Sequence, residues 1–593
     1  MVRGFLLLLT LSAVSLPAQW SIPESEALAP PTAARLAEVQ AVVASAGWTG
    51  VQTAAREAGL LAYGRDRSDA AEAWLLVAEW ARFFGESQRV VVDRWIRALN
   101  DAKLGHANMA TDYRPPDAPM SALVRAEFGA WLLANRDFSR SFFDLLEPVD
   151  AAPEVIRILD RLHAADPRRF ARHAQLALAI AVVHDVPPPP TWPHAQVSAS
   201  ALPRRLMAPG AAFAYWSSAD DRGVTLQRLA RLSAGELKFV IDAAAPQAEL
   251  DWARQSVKGP IPRLAGTYDA VRYRLDRLEA NAMLWPGGTY TLPAILEEGG
   301  ICVDQAYFAA HAGKALGVPT LMFRGAGLDG RHAWFGYLDE NQRWKLDVGR
   351  YADQRYVSGL AFDPQTWGNV SDHELAFLAE GFRRLPAYRQ SQIHASVAEE
   401  LLRSGQAEAA LRAARKSVNF ERRNLRAWSV LGLALGRTGA DARTREAALR
   451  EGVLAFQRYP DLYAEFMQQV IIVLRERGEA SAAANEERLL AQKFQSQRWD
   501  LSVKQAAEIV GRAMRTQPLA GQVQAYNRAL EQYGPGARVE FFDKIIRPFV
   551  EHLVATGQRE EAKRAVDRAR TVLEVTPGRQ LDRELVELAG TVR

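Results

Sequence analysis

The chain has 593 residues, long enough for several domains, and its 48% hydrophobic and 24% charged residues are ordinary for a soluble globular protein. Lys+Arg total 73 against 69 for Asp+Glu, a near balance that leaves no nucleic-acid-binding footprint. The single cysteine, Cys302, excludes an intramolecular disulfide.

The N-terminus has the pattern of a secretory signal. Met1-Val2-Arg3 carries the charge, and an apolar run from Gly4 to Leu16 follows it. We predict a signal peptide over 1–18 and an extracytoplasmic location, periplasmic or secreted; the alternative is an uncleaved anchor. No later stretch is apolar over ~18 residues, so we expect no integral membrane span after signal cleavage.

The first half of the mature chain is expected to be helical. Residues 19–186 place tryptophans such as Trp74 and Trp131 among leucines at helical spacing, which favours core positions over a ligand platform. Residues 187–264 begin with four consecutive prolines from Pro187, a stiff connector, and continue as a mixed helical segment.

A helix is predicted from Tyr268 to Leu284, ending at the Trp285–Tyr290 turn. Gly299 and Gly300 then form a second turn before Cys302. The alanines, Gly317 and Pro319 that follow predict a short helix with Cys302 in its first turn. A helix N-terminus favours the thiolate, the reactive form of cysteine.

Three strands should follow this helix: Thr320–Phe323, Arg331–Leu338 and Arg343–Gly349. If residues 339–342 close a hairpin, Leu338 lies opposite Arg343, which brings the side chains of His332 and Asp347 to one face of the sheet as diagonal neighbours. A shift of one residue would separate them.

A thiol, an imidazole and a carboxylate in this order suggest a nucleophile, its base and the group that orients the base. Taken singly, each has a structural reading: Cys302 as a small buried apolar residue, His332 as a core histidine and Asp347 as a turn cap. Their conjunction favours an active site.

The segments Gly300-Ile301-Cys302, His332-Ala333-Trp334 and Asp347 resemble the transglutaminase-like superfamily of papain-fold cysteine enzymes. The resemblance covers roughly 265–355. It implies a catalytic domain over 265–365, with Cys302 as nucleophile, His332 as base and Asp347 as orienting group. It also implies an upstream aromatic donor to the oxyanion, for which Trp285 and Tyr290 are the candidates, or else both simply pack their loop.

The loop 325–330 fits G-x-G-x-x-G, but a dinucleotide site needs a helix after it, and a strand is predicted instead. We expect this loop to lie over the catalytic groove. The ten histidines lack metal-ligand spacing, so neither a metal nor a cofactor is predicted.

Residues 366–593 are predicted to form helical pairs. Gly405 and Gly439 lie 34 residues apart in similar turns, and Gly478 and Gly557 mark two more. This region resembles tetratricopeptide-like repeats, which implies either a groove for a protein partner or a mechanical scaffold.

The predicted fold is therefore multidomain and mostly α, with an N-terminal helical region, a central α+β transglutaminase-like domain with an antiparallel sheet, and C-terminal α-solenoid-like repeats. The predicted function is an extracytoplasmic cysteine protease, amidase or acyltransferase that cleaves amide bonds through a thioester. Its substrate is expected to be a peptide, a protein or a cell-wall peptide. The alternative is a catalytically silent scaffold that binds peptides or proteins.

Overall fold

The computed structural model describes residues 20–102, 115–352, 355, 357–495 and 497–592. They form a mostly helical structure with one small antiparallel sheet. The predicted signal peptide, 1–18, lies outside the described residues. Within the described ranges, no helix has both the length and the apolar character that crossing a membrane requires.

The helices that precede the nucleophile segment pack around a large apolar core, in which Trp74 is buried as predicted, while Trp131 is half-buried and packs against it. Their bounds are α1 (Glu24–Ala27), α2 (Ala33–Ala37), α3 (Val39–Gly64), α4 (Ser68–Gly85), α5 (Gln88–Ala102), α6 (Ala126–Ala134), α7 (Arg136–Leu145), α8 (Ala152–Ala165), α9 (Pro167–Arg172), α10 (Ala174–Val183), α11 (Pro209–Asp221), α12 (Ala234–Ile241) and α13 (Gln247–Ser256). Short 3-10 turns span Met120–Leu123, Leu229–Arg231 and Ile261–Ala265.

The nucleophile segment and the sheet come next in the chain. The elements are α14 (Gly266–Ala270), α15 (Leu275–Glu279), α16 (Leu292–Glu298), α17 (Cys302–Ala315), β1 (Thr320–Ala326), β2 (Arg331–Leu338), β3 (Trp344–Val348), β4 (Leu360–Phe362) and β5 (Asn369–Ser371). The strand order is β3-β2-β1-β4-β5, and every pair is antiparallel. Helix α17 packs on β1 and β2, so Cys302 begins a helix that lies against the strand of His332.

The predicted pairing of β2 with β3 is wrong. Leu338 lies opposite Trp344, not Arg343, and a bulge then shifts the register again so that Phe335 lies opposite Val348. The turn is longer than predicted because Asp339 Oδ1 accepts the main-chain N–H groups of residues 341 and 343, at 2.9 and 2.8 Å.

The predicted helix Tyr268–Leu284 is also wrong, since an extended segment separates α14 from α15. Arg272 O accepts from Gly300 N, and Arg274 N donates to Gly300 O, both at 2.9 Å. Main-chain pairing with the approach to Cys302 therefore replaces helical hydrogen bonds here.

The C-terminal half is helical, as predicted. Its helices are α18 (Asp372–Leu378), α19 (Pro386–Arg403), α20 (Ala407–Phe420), α21 (Leu425–Arg437), α22 (Ala442–Ala455), α23 (Pro460–Glu476), α24 (Ala480–Lys493), α25 (Trp499–Thr516), α26 (Leu519–Tyr533), α27 (Arg538–Phe541), α28 (Arg547–Ala555), α29 (Arg559–Val572) and α30 (Gln580–Thr591). A π-helical turn, Phe542–Ile546, and 3-10 turns at Gly381–Arg384 and Gly534–Gly536 complete this part. The predicted turn glycines Gly405, Gly439, Gly478 and Gly557 all have φ between 69° and 78°, which favours glycine.

Both ends of this helical half contact the rest of the protein. Arg82 on α4 pairs with Glu400 on α19 at 3.0 Å, and Arg331 on β2 pairs with Asp543 at 2.6 Å. A cavity of about 980 Å³ lies between these contacts, and its walls come from β1, β4 and β5 on one side and from α23, α25 and α27 on the other.

A buried carboxyl pair lies where α8 and α10 meet. Asp150 Oδ2 accepts from Glu147 N at 2.7 Å and from Gln365 Nε2 at 2.8 Å, while its Oδ1 has no partner among the described residues. Asp185 accepts from Ala151 N at 2.6 Å. Burial raises the pKa of Asp185 to about 8, and burial together with the Asp185 charge raises the pKa of Asp150 well above its usual value.

This pair predicts a pH-dependent stability. Both carboxyls have raised pKa values in the fold, so stability falls as the pH rises from the ordinary carboxyl range through about 8. Asp150→Asn keeps the oxygen that accepts two hydrogen bonds and removes the carboxyl whose ionisation the buried site opposes. We expect it to raise the free energy of unfolding by ~1–2 kcal/mol near pH 8.

Urea unfolding of wild type and variant between about pH 5 and 9 measures this difference. Asp101→Asn, on the exposed side of α5, is the matched control and should change nothing. A variant that is less stable than wild type at high pH contradicts the assignment.

Candidate active site

Cys302 is the first residue of α17, as predicted. The turn before it requires glycine, because Gly299 has φ +78° and a Cβ there would lie 2.5 Å from the carbonyl oxygen of Arg272. Asp304 Oδ2 accepts from Ile301 N at 2.8 Å and closes the first turn of the helix.

Asp304 is fully buried and connects the helix start to two other segments. It accepts from Arg277 Nη1 and from the Tyr290 hydroxyl, each at 2.8 Å. His194 Nδ1 accepts from the Gln196 main chain, so His194 Nε2 carries the proton that it donates to the Tyr290 oxygen at 3.0 Å. A fully satisfied polar chain of this kind, buried behind the nucleophile, fixes the position of Cys302.

The two predicted oxyanion donors lie in this supporting layer. Tyr290 is buried and donates to Asp304, and Trp285 Nε1 donates to Thr289 O at 3.0 Å. Each of the two donors, Trp285 and Tyr290, therefore already has an acceptor within the protein in this arrangement.

The thiol of Cys302 faces the main chain of β2. The Ala333 N–H and the N–H groups of Cys302 and Val303 lower the pKa of the thiol. Burial acts more strongly in the opposite direction, and Asp304 adds to it, so the pKa of Cys302 rises to about 11. Desolvation therefore outweighs the helix N-terminus, and the thiol is protonated at neutral pH.

His332 is buried on β2, one residue before the Ala333 main chain that faces the thiol. Its Nε2 lies 2.6 Å from the carbonyl oxygen of Gly349. A carbonyl only accepts, so Nε2 carries the proton and the lone pair of the neutral ring is on Nδ1. Burial lowers the pKa of His332, which favours this neutral form. The ring of Tyr351 stacks on the imidazole at 4.3 Å between centroids.

Asp347 does not hold the position that the hairpin prediction gave it. It is exposed on β3, and the acceptor that holds His332 Nε2 is the main-chain carbonyl of Gly349. The longer turn and the bulge between Phe335 and Tyr337 together cause the difference, because each moves residues beyond Asp347 toward the imidazole by one position. Gly349 has φ +86°, and a Cβ there would lie 2.6 Å from the Tyr268 ring.

The sequence prediction missed two tyrosines that lie beside the nucleophile. The Tyr268 hydroxyl donates to Ala333 O at 2.8 Å, and the Cys302 charge contributes to raised pKa values of both Tyr268 and Tyr273. Tyr273 is 37% exposed, and burial raises its pKa to about 12. A predicted continuous helix at 268–284 concealed their proximity to Cys302. Asp304 lies three residues after the N-cap residue of α17, and an acid at this spacing is typical of a helix cap, so the sequence could have predicted its role.

The chain was compared with models of protein families and with curated proteins. No protein-family model matches the chain, and no curated protein matches it either.

The thiol environment predicts how Cys302 titrates. Its alkylation by iodoacetamide should be slow at pH 7 and should rise with pH toward an apparent pKa of about 11. The same thiol in the unfolded chain should titrate near ~8.5. The pKa of the thiol is higher in the folded than in the unfolded chain. The protonated thiol therefore contributes fully to the free energy of unfolding below pH ~8.5, and this contribution is lost as the pH rises through about 11.

Stopped-flow alkylation of the native and urea-unfolded protein measures both values, and Cys302→Ala serves as the unlabelled control. A native thiol that titrates below the unfolded one contradicts the description of its environment.

Proposed function

We propose that the protein is an extracytoplasmic, transglutaminase-like cysteine enzyme that acts on amide bonds. The proposal is carried by one observation: the thiol of Cys302, at a helix start, faces the main chain of the strand that holds His332 in the Nε2-protonated form. The resemblance of residues 265–355 to that superfamily supports the same conclusion.

The proposed mechanism uses Nδ1 of His332 as the base. It takes the proton of the Cys302 thiol as the sulfur attacks the substrate carbonyl carbon. The imidazolium then returns that proton to the leaving amine as the C–N bond breaks, which leaves a thioester. Water or a second amine attacks the thioester carbonyl carbon and gives its proton to His332. The C–S bond then breaks, the acid or the new amide leaves, and the imidazolium returns the proton to the sulfur of Cys302. The Gly349 carbonyl holds the ring throughout, in the role that the resemblance gave to Asp347.

The oxyanion is proposed to bind at the start of α17. The main-chain N–H groups of the first turn lack intrahelical acceptors, and those of Cys302 and Val303 already favour the thiolate. Tyr273 is the candidate side-chain donor, since it is partly exposed and the charge of Cys302 contributes to its raised pKa. A single oxyanion donor is commonly worth ~3 kcal/mol of transition-state stabilisation.

The remaining parts of the proposal rest on the sequence. We propose a multidomain chain with a signal peptide over 1–18, a catalytic domain over 265–365 and tetratricopeptide-like repeats over 366–593. The substrate is proposed to be a peptide, a protein or a cell-wall peptide. The cavity of about 980 Å³ between the sheet and the C-terminal helices supports a role for those helices in binding.

A second candidate function is a catalytically silent fold that binds peptides or proteins. The observation that favours it is the thiol pKa of about 11, which leaves only a small thiolate fraction at neutral pH. In the enzyme, proton transfer to His332 upon substrate binding has to overcome this desolvation. A scaffold needs no thiolate, so its function does not depend on this proton transfer.

Turnover separates the two candidates. A panel of peptides and cell-wall fragments is incubated with wild type and with Cys302→Ala, and released amines are measured. The enzyme should turn over at least one substrate, with a loss of ~10³-fold or more in Cys302→Ala. Ser429→Ala, an exposed change on α21, is the control. Equal turnover by wild type and Cys302→Ala rejects the mechanism.

The orienting group gives a sharper prediction. With Gly349 O as the acceptor, His332→Ala should lower kcat/KM by ~10²–10⁴-fold, while Asp347→Asn should change it by less than about threefold. A carboxylate that orients the base would cost ~10⁴-fold upon the same Asn substitution. Measuring kcat/KM for the three proteins decides between a main-chain and a carboxylate orienter; a large loss in Asp347→Asn contradicts the main-chain assignment.

A further inference from the structure

The hairpin end next to His332 is attached to the C-terminal helices. Arg331 N donates to Gln580 Oε1 on α30 at 3.0 Å, and Leu581 N donates to Asp329 O at 3.4 Å. Ala326, at the end of β1, packs against the apolar core of the C-terminal helices. The loop 327–330, expected over the groove, therefore docks on a helix about 250 residues away in sequence.

The guanidinium of Arg331 adds partly exposed ion pairs to this attachment. It donates to Asp543 Oδ1 at 2.6 Å and to both carboxylate oxygens of Glu584, one of them at 3.1 Å. The two carboxylates raise the pKa of Arg331. Paired donors of this kind fix direction as well as distance. Glu584 is itself held by Arg547 at 3.3 Å and by Gln580 at 3.0 Å.

Arg331 is the first residue of β2 and directly precedes His332. Among the described strands, β3 pairs with β2 only from Phe335 onward, so residues 331–334 have β1 as their single strand neighbour. His332 and the Ala333 main chain that faces the thiol lie in this stretch, where side chains and the Gly349 carbonyl take the place of a second strand. Two residues of strand, ~7 Å, separate Arg331 from Ala333. The contacts of Arg331 hold the end of β2 where β3 does not.

We propose that Arg331, through Asp543 and Glu584, is a positioning residue that sets the placement of His332 and the reactivity of Cys302. This inference rests on the proposed function, in which these two side chains form the active site. The C-terminal helix α30 thereby becomes part of the active-site support. Releasing it should let water reach the imidazole and the thiol.

Alkylation of Cys302 tests the proposal without any substrate. In Arg331→Gln and in Glu584→Gln, the thiol pKa should fall toward its ordinary value, and alkylation at pH 8 should rise about fivefold to tenfold, since one pKa unit is tenfold in thiolate. The His332 pKa, followed by NMR, should rise toward ~6.5. Arg331→Lys should lie between wild type and Arg331→Gln.

Glu587→Gln is the matched control, because Glu587 is exposed on the same helix and has no ion pair among the described residues. It should leave both readouts unchanged. If Arg331→Gln does not fold, Glu584→Gln answers the question from the opposite side of the contact. Unchanged alkylation and an unchanged His332 pKa in the folded variants overturn the proposal.

The two proposals fail separately. Absence of amide turnover in wild type, with the alkylation changes present, rejects the proposed reaction and keeps the positioning role of Arg331. Turnover that depends on Cys302, with alkylation and the His332 pKa unchanged in the Arg331 variants, keeps the proposed reaction and rejects the positioning role of Arg331.

Discussion

The candidate site depends on an interruption in the pairing of β2 with β3. Because β3 ends at Val348, opposite Phe335, the main chain of Ala333 has no strand on one side among the described residues. The Tyr268 hydroxyl donates a hydrogen bond to the carbonyl oxygen of Ala333, and the Cys302 sulfur faces the Ala333 N–H. A regular hairpin would have covered both groups with ladder hydrogen bonds and closed this edge to the thiol. The same interruption brings Gly349, rather than Asp347, to the imidazole.

Two opposing electrostatic effects meet at Cys302. Its position at a helix start, with first-turn N–H groups directed at the sulfur, favours the thiolate. Desolvation of the sulfur, in a residue that is only partly exposed, disfavours it more, so the resting thiol is protonated. Surface helix-end effects are commonly worth ~0.3–1 kcal/mol, whereas loss of water can shift a buried group by several pKa units. A neutral thiol and a neutral imidazole are therefore the consistent resting forms of Cys302 and His332.

The support of the site comes from three distant parts of the chain. Asp304 connects the helix start to Arg277 and Tyr290, and through Tyr290 to His194. Arg331 connects the opposite strand to the C-terminal helices. The Asp304–Arg277 pair is buried, so removing one partner costs more than the intact pair contributes, whereas the Arg331 pairs are partly exposed. Paired charged contacts of both kinds fix direction as well as distance.

The sequence by itself determined the local elements of this protein. The glycine turn before Cys302, the helix that begins there, the strand Arg331–Leu338 and the glycine turns of the C-terminal helices all follow from short-range patterns. Backbone conformation and side-chain periodicity act over a few residues, so a sequence displays them directly. The helix predicted at 268–284 failed because pairing with Gly300, outside any local window, decided that segment.

Only the tertiary structure decided which groups meet. The acceptor of the imidazole, the tyrosines beside the thiol and the thiol pKa follow from a register shift and from desolvation. Register depends on the competing packing of both faces of the sheet, and desolvation depends on every element that covers a group. Neither register nor desolvation is a property of the residues concerned. For this reason the sequence predicted Cys302 at a helix start and His332 on a strand, but not the environment of either side chain.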